Sequence, residues 1–334
     1  MKRAHTLTLS GVVPQGSDAV LLRFGLDAAQ AGHFGFRPGQ YLTLLAGPAD
    51  ARRWRCYSIT SAPAAPLEVL VRRVRGGLVS NWICDNARAG DTLTVLPPAG
   101  RFTLRRPGGP ALLFAGGSGI APVISLARQA LAAGGEAAVF YANRDRESAM
   151  LVAELEEMRA LHGHRLELEY WYDADDGLPS AELLASFAAD RRGRDAYVCG
   201  PEPFMRIAGE ALARAGFDAS HIHREDFGAP PDGDDETGGG EDAPASTLAV
   251  EFGGRTATVP VKGGESLLSA MLDAGLDVPH ACNAGECASC MCRLVSGEVV
   301  RLGNSVLDDD DVADGWLVAC RTRAAGGAVA IRFP

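Results

Sequence analysis

His280-Ala281-Cys282-Asn283-Ala284-Gly285-Glu286-Cys287-Ala288-Ser289-Cys290 sets three cysteines in a Cys-x4-Cys-x2-Cys spacing, and Val318-Ala319-Cys320 supplies a fourth far downstream. Two irons need four thiolates, and this is the spacing of a [2Fe-2S] loop. Small residues (Ala284, Gly285, Ala288, Ser289) let a backbone wrap a cluster and turn N–H groups towards its sulfurs. A structural zinc site also takes four cysteines, but usually as two close pairs. Cys282, Cys287, Cys290 and Cys320 are therefore read as the metal ligands. Cys292 falls among Arg293-Leu294-Val295, which reads as a strand, so it is read as a packed side chain.

Outward from this loop, the 334 residues are enough for two or three domains. A hydrophobic share of 47% against 22% charged is that of a globular protein, and no apolar run approaches a membrane span. A net charge of −10 argues against a nucleic-acid partner, whose binding needs a cationic footprint. It suits attraction of a basic protein partner instead. Eight cysteines, half of them crowded near residue 290, suggest a metal site in a reducing compartment rather than a disulfide framework. The first ten residues alternate like a strand and lack the apolar block of a signal peptide, so the expected location is cytoplasmic.

Two boundaries stand out. Gly228 to Ser246 is acidic and rich in Gly and Pro, with little to bury, and is expected to be a flexible linker. Arg105-Arg106-Pro107-Gly108-Gly109-Pro110 is a turn-rich divide between two rhythms. Before it, short alternating runs such as Ala19 to Phe24, Gln40 to Leu44 and Leu67 to Arg72 predict an antiparallel β-barrel. After it, buried-strand candidates (Ala111 to Ala115, Ala137 to Tyr141, Leu166 to Tyr170, Ala196 to Cys199) alternate with helical stretches at Pro122 to Ala133 and Ser148 to Leu161. That alternation predicts an α/β parallel sheet. Beyond the linker, Leu248 to Phe252 and Thr256 to Val261 flank Gly253-Gly254 as a hairpin, and Ser266 to Ala274 reads as a helix. A further helix, Leu307 to Asp314, opens with acidic residues, and Asp308 to Asp311 form a favourable first turn rather than a metal site. The expected domains are 1–107, 108–227, the linker 228–246, and 247–334.

Two motifs in the barrel carry chemistry. Arg55-Cys56-Tyr57-Ser58 stands on a predicted strand, and Gly76-Gly77-Leu78-Val79-Ser80 opens a predicted helix. In this order they resemble the flavin-binding motifs of the ferredoxin-NADP reductase superfamily. Arg55 can pair with a pyrophosphate, Tyr57 can lie against the isoalloxazine or ribityl chain, and the Ser58 hydroxyl can reach flavin N5. Gly76, Gly77 and Ser80 would bring a helix N-terminus to the phosphates. For Arg72 a flavin contact and a solvated strand face are both open readings.

Ala115-Gly116-Gly117-Ser118-Gly119-Ile120-Ala121-Pro122 follows the first strand of the α/β segment and begins its first helix, the place for a coenzyme pyrophosphate. Pro122 replaces the third glycine of the usual dinucleotide fingerprint, and Gly-Gly-x-Gly-Ile-x-Pro is the version that resembles the same superfamily. The bland alternative is a tight turn. Cys199-Gly200-Pro201 and Glu225-Asp226-Phe227 match two further superfamily segments, and the resemblance puts Ser58, Cys199 and Glu225 around the site of hydride transfer. Their bland alternatives are an inert buried thiol for Cys199, a surface carboxylate for Glu225 and a packing aromatic for Phe227. In Asn143-Arg144-Asp145-Arg146 the arginines suit a 2′-phosphate and Asp145 suits a free ribose, so NADH and NADPH both remain open.

The order flavin barrel, nicotinamide domain, plant-type ferredoxin domain spans the chain. It resembles reductase components of multicomponent oxygenases, most of all the reductases of phenylacetyl-CoA epoxidase and 3-ketosteroid 9α-hydroxylase. The resemblance implies a β-grasp fold for the last domain, FAD in preference to FMN, NAD(P)H as donor, and an oxygenase or hydroxylase component as electron acceptor for a monomeric reductase. A diaphorase, or a reductase serving a non-oxygenase acceptor such as a hybrid-cluster protein, is the alternative.

Overall fold

The computed structural model describes residues 4–63, 65–225, 246–276, 278–280, 282–304 and 306–334. Phe227 and, apart from Ser246, the expected linker lie outside the described residues. Most of the barrel forms one compact unit with the parallel sheet, and the iron–sulfur segment belongs to a second, with which residues 53–56 group.

The barrel is built from β1 (His5–Gln15), β2 (Ala19–Gly25), β3 (Tyr41–Ala46), β4 (Arg53–Ser58), β5 (Leu67–Arg72) and β6 (Thr92–Ala99), in the order β4-β3-β6-β1-β2-β5. Its helices are the single turn α1 (Ala28–Ala31) and α2 (Leu78–Asn86). Ile59, next after β4, bridges Val69 of β5, and Thr60 N donates to Glu68 O at 3.0 Å, so the two edge strands meet. Closure leaves no long edge to aggregate. Leu7, Leu9, Leu22, Phe24, Leu42, Leu44, Val69 and Val71 fill the interior.

The run at Ala19 to Phe24 differs from simple alternation, because Ala19, Val20, Leu21 and Leu22 are all buried. Leu22 faces the barrel core, whereas Leu21 and Leu70 join the core of the neighbouring parallel sheet. A strand covered on both faces has no reason to alternate.

That sheet comprises β7 (Ala111–Gly116), β8 (Ala137–Asn143), β9 (Leu166–Tyr172), β10 (Asp195–Cys199) and β11 (Ile222–Glu225), in the order β11-β10-β7-β8-β9 with parallel pairing throughout. Between the strands run α3 (Ile120–Ala132), α4 (Val152–His162), the single turn α5 (Asp173–Asp176), α6 (Ala181–Ala189) and α7 (Glu202–Arg214). Along β7, Ala111, Leu113 and Ala115 pack towards α3, and Leu112 and Phe114 towards α6 and α7. Chain order reverses between β7 and β10, the switch point where open α/β sheets bind ligands at their carboxyl ends.

The helix expected from Ser148 begins only at Val152. Leu151 adopts a left-handed φ of 57°, its N–H donates to Gln15 Oε1 at 3.0 Å, and the Tyr141 hydroxyl bonds both N and O of Met150. Tertiary hydrogen bonds thus take the backbone groups that a first helical turn would have used. The turn-rich divide is likewise pinned: Arg105 N donates to the Tyr197 hydroxyl at 2.8 Å, and Arg106 Nε to Asp195 Oδ2 at 3.1 Å.

In the second unit β12 (Ser246–Phe252) and β13 (Arg255–Val261) form the expected hairpin, with Gly253 and Gly254 both at positive φ as a two-residue turn requires. Next come α8 (Leu267–Asp273), β14 (Met291–Ser296), β15 (Val299–Arg301), α9 (Asp309–Ala313), β16 (Trp316–Val318), β17 (Thr322–Ala324) and β18 (Gly327–Arg332). The order β13-β12-β18-β14-β16, with β12 parallel to β18 and α8 burying Leu267, Leu268 and Met271, is the β-grasp arrangement. Asp308 and Asp311 cap α9 reciprocally, which is the favourable first turn read from the sequence.

Gly39 marks the seam inside the first unit. A Cβ there would stand 1.9 Å from Phe102 O and 2.9 Å from Leu126 Cδ2, at a φ of +91°. Gly39→Ala should therefore cost about 3 kcal/mol, from strain and overpacking together. Urea unfolding measures it, and an unchanged midpoint would show that the seam yields freely.

Candidate functional site

The thiol loop needs three residues in left-handed conformation, Asn283 (φ 50°), Gly285 (φ 77°) and Ala288 (φ 57°). That winding turns N–H groups inward. Ala284 N and Glu286 N donate to Cys282 Sγ at 3.4 and 3.3 Å, Ser289 N to Cys287 Sγ at 3.5 Å, and Cys320 N to Cys290 Sγ at 3.5 Å. Only glycine suits position 285, where a Cβ would lie 2.8 Å from Arg321 Cγ. The thiols associate in pairs, Cys282 with Cys287 and Cys290 with Cys320, and contact between partners, then burial, pushes Cys282 and Cys320 above the usual thiol range. Such a set suits cationic iron, which holds thiols as thiolates, and two pairs of donors match two irons. Cys292 is fully buried, as expected of a packed side chain.

In the barrel, Arg55, Tyr57 and Ser58 lie along β4. Tyr57 packs against the barrel core, Ser58 is buried, and Arg55 Nη1 donates to Trp54 O at 2.8 Å. Gly77 caps α2 with no side-chain bond, leaving first-turn N–H groups for an anion. A Cβ on Gly76, at φ +72°, would meet nothing, whereas one on Gly77 would lie 2.8 Å from Ser80 Oγ. The Ser80 hydroxyl accepts from Val74 N at 3.2 Å, so it also fixes the loop that presents the glycines.

At the switch point, residues 116–119 turn from β7 into α3. A Cβ on Gly119 would stand 2.1 Å from Cys199 O, and one on Gly200 would stand 3.0 Å from Gly116 Cα. The two strand ends are thus interlocked backbone to backbone. Ser118 lies within this turn, Pro122 is buried in the first turn of α3, and Pro201 leads into α7. Cys199 pairs in register with Ala115 on one side and Glu225 on the other, which places Cys199 and Glu225 side by side at the carboxyl edge. Cys199 is wholly enclosed. Glu225 is only partly exposed: its Oε2 has no hydrogen-bond partner among the described residues, and desolvation raises the acid to about 8.

Beyond β8, Arg144 and Arg146 are both engaged. Arg144 Nε bonds Asp145 Oδ2 at 2.6 Å, and Arg146 lies 4.3 Å over the Tyr172 ring with Asp175 at 3.1 Å. Asp145 also accepts from Ser148 N, and these bonds, Arg144 foremost, lower its carboxyl to about 2. Exposed pairs of this kind contribute about 0–1 kcal/mol and yield readily to a ligand. Tyr172, Asp175 and Asp18, whose Oδ2 accepts from Arg72 Nε at 3.3 Å, were not singled out from the sequence; the Asp-x-x-Ser turn at 145–148 and the Gly-Ser-Asp turn at 16–18 were the available signals.

The described features are those of a flavin, nicotinamide and iron–sulfur oxidoreductase. Family models match an oxidoreductase FAD-binding domain over residues 7–104, an oxidoreductase NAD-binding domain over 113–210 and a 2Fe-2S iron-sulfur cluster binding domain over 250–325. The chain is 37% identical to the ferredoxin reductase component of 3-ketosteroid-9-alpha-monooxygenase from Rhodococcus rhodochrous, covering 99% of this chain and 97% of that one. It is 31% identical to a component of the 1,2-phenylacetyl-CoA epoxidase of Escherichia coli K12, covering 100% and 98%. Among solved structures, phthalate dioxygenase reductase aligns with a TM-score of 0.61 at 25% identity, covering 99% of this chain and 98% of that chain. The chain belongs to the family of three-domain reductase components of oxygenases. No helix among the described residues is long and apolar enough to cross a membrane.

The raised Glu225 carboxyl gives a pH signature. The folded protein retains the Glu225 proton above the ordinary 4.5 at which an unfolded chain releases it, so stability falls as pH rises from there towards about 8. Glu225→Gln removes that loss. Its stability advantage over the parent in urea should be smallest below pH 4.5 and greatest above about 8; a difference independent of pH would contradict the raised acid.

Proposed function

We propose that this protein draws reducing equivalents from NAD(P)H and delivers them singly, through FAD and the [2Fe-2S] cluster, to an oxygenase or hydroxylase component. The observation that supports it best is the meeting of Cys199, Glu225 and the glycine turn at one sheet edge, on a chain that also carries the thiol loop. When bound, FAD accepts a hydride and releases single electrons, which the cluster carries onward.

Each group of residues has its task in this reading. Gly116, Gly117, Ser118, Gly119, Pro122, Gly200 and Pro201 shape the nicotinamide cradle, and Arg144 reads its ribose end. Arg55, Tyr57, Gly76, Gly77 and Ser80 hold FAD. Ser58, Cys199 and Glu225 line the hydride-transfer site, and Phe227 takes part in binding the cofactor. Desolvation shifts the Glu225 carboxyl towards its neutral form, which would present less negative charge to a bound flavin. Cys282, Cys287, Cys290 and Cys320 hold the cluster. The reductase works as a cytoplasmic monomer, a state that size-exclusion chromatography tests.

Cys287→Ser separates the two halves of the relay. The variant should keep NAD(P)H oxidation by ferricyanide, which meets the flavin directly, and lose nearly all transfer to an oxygenase component. Oxygen consumption would be assayed with the oxygenase components of the ketosteroid and phenylacetyl-CoA systems. Loss of both activities would contradict independent roles, and turnover only with a hybrid-cluster protein would move the assignment to a non-oxygenase acceptor.

A further inference from the structure

We propose that Ser125 and Arg128 of α3 are positioning residues for hydride transfer: they tie the helix that starts at the nicotinamide cradle to the backbone immediately beyond Ser58. The proposal deepens the function proposed above and rests on reading residues 116–119 as the coenzyme cradle and Ser58 as a flavin contact.

The link runs through main-chain carbonyls. After β4 ends at Ser58, Ile59 N donates to Gln40 O at 2.9 Å and Thr60 N to Glu68 O at 3.0 Å, so these amides serve the barrel. Glu68 N donates in turn to Ser61 Oγ at 3.2 Å. The carbonyls of Thr60 and Ser61 go instead to α3: Ser125 Oγ donates to Ser61 O at 3.1 Å, and Arg128 Nη1 donates to Thr60 O. Thr60, Ser61 and Ser125 are all buried, where a carbonyl left unpaired is costly. Burial lowers the Arg128 guanidinium from its usual range, and Glu68, Glu154 and Glu157 work against that fall. The retained charge strengthens its hold on the Thr60 carbonyl.

Position along the helix gives these bonds their meaning. Ser125 and Arg128 are three residues apart and share a face, and they follow Pro122 in the first turn of α3 by about one and two turns. Leu126, between them, is the side chain that a Cβ on Gly39 would meet at 2.9 Å. The helix therefore meets the barrel at Gly39 and at residues 60–61, the neighbours of both partners in the Gln40–Ile59 bond. The step served moves a hydride, one hydrogen with its electron pair, from the nicotinamide to flavin N5, which oxidises NAD(P)H as it reduces FAD. Its rate depends steeply on placement, since a shift of about 1 Å can cost about 100-fold. Bonds two and three residues beyond Ser58 fix that placement from side chains outside both cradles.

The test uses the full-length protein loaded with FAD and cluster, with ADP-ribose as probe. In the parent, ADP-ribose should slow hydrogen exchange at the Ile59 and Thr60 amides, because α3 carries its binding to that segment. Ser125→Ala and Arg128→Met should abolish this response while binding ADP-ribose as the parent does. In stopped flow at saturating NAD(P)H, both should reduce flavin about 10- to 100-fold more slowly with flavin content held. Arg128→Lys should recover part of that rate as a charged donor. Ser125→Ala removes a single oxygen, so it decides the matter if Arg128→Met does not fold. Variants that lose stability in urea yet keep the parent's flavin-reduction rate and exchange response would overturn the proposal and make the two bonds a matter of stability alone. Exchange at Ile59 and Thr60 that is indifferent to ADP-ribose in the parent would overturn it as well. A parent that binds no ADP-ribose would instead defeat the reading of the glycine turn, and the proposal with it.

Discussion

Where β7 and β10 end, two backbones come so close that a methyl group on Gly119 would stand 2.1 Å from the carbonyl oxygen of Cys199. Much of the first unit is arranged around this approach. It brings the first turn of α3 to the sheet edge, aligns Cys199 between Ala115 and Glu225, and leaves Gly200 backed against Gly116. At the opposite end of the same strand, Asp195 takes Arg106 Nε at 3.1 Å and His221 Nδ1 at 2.8 Å. β10 is thereby tied at its base to the chain leaving the barrel and to the turn that launches β11. Strand ends held at both extremities give Glu225 a fixed place despite a strand of only four residues.

The second site is organised by a different economy. No regular element supplies the three clustered cysteines; they come from a loop whose left-handed residues turn amides onto sulfur. The fourth arrives after β16, whose pairing with β14 brings Val318 opposite Met291 and so carries Cys320 back to Cys290. Loop winding and strand register have to agree for the two thiol pairs to form.

Much of this was legible in the sequence, for physical reasons that differ from place to place. Cysteine spacing is a direct image of cluster geometry, and glycine marks backbone approach, so Cys282 to Cys290 and Gly116 to Gly119 could be read without a fold. The buried strands β7, β8 and β10 declared themselves by unbroken apolar runs. Ser148 to Leu151 misled because these residues are good enough helix formers, and only the tertiary bonds from Gln15 and Tyr141 divert them. Asp18 and Tyr172 were invisible for the same reason: their roles depend on partners far along the chain, which no local pattern records. Arg72 was ambiguous because a strand position alone does not say which face is covered.

The shared core around Leu21 and Leu70 has a consequence for inheritance. Because the outer wall of the barrel is also the floor beneath α3, cutting the chain at residue 107 would strand apolar surface on both fragments. The flavin and nicotinamide modules therefore share one core, and exchanging either half alone should expose it. A recombination point that respects the physics falls after Glu225, not at the turn-rich divide that the composition makes conspicuous.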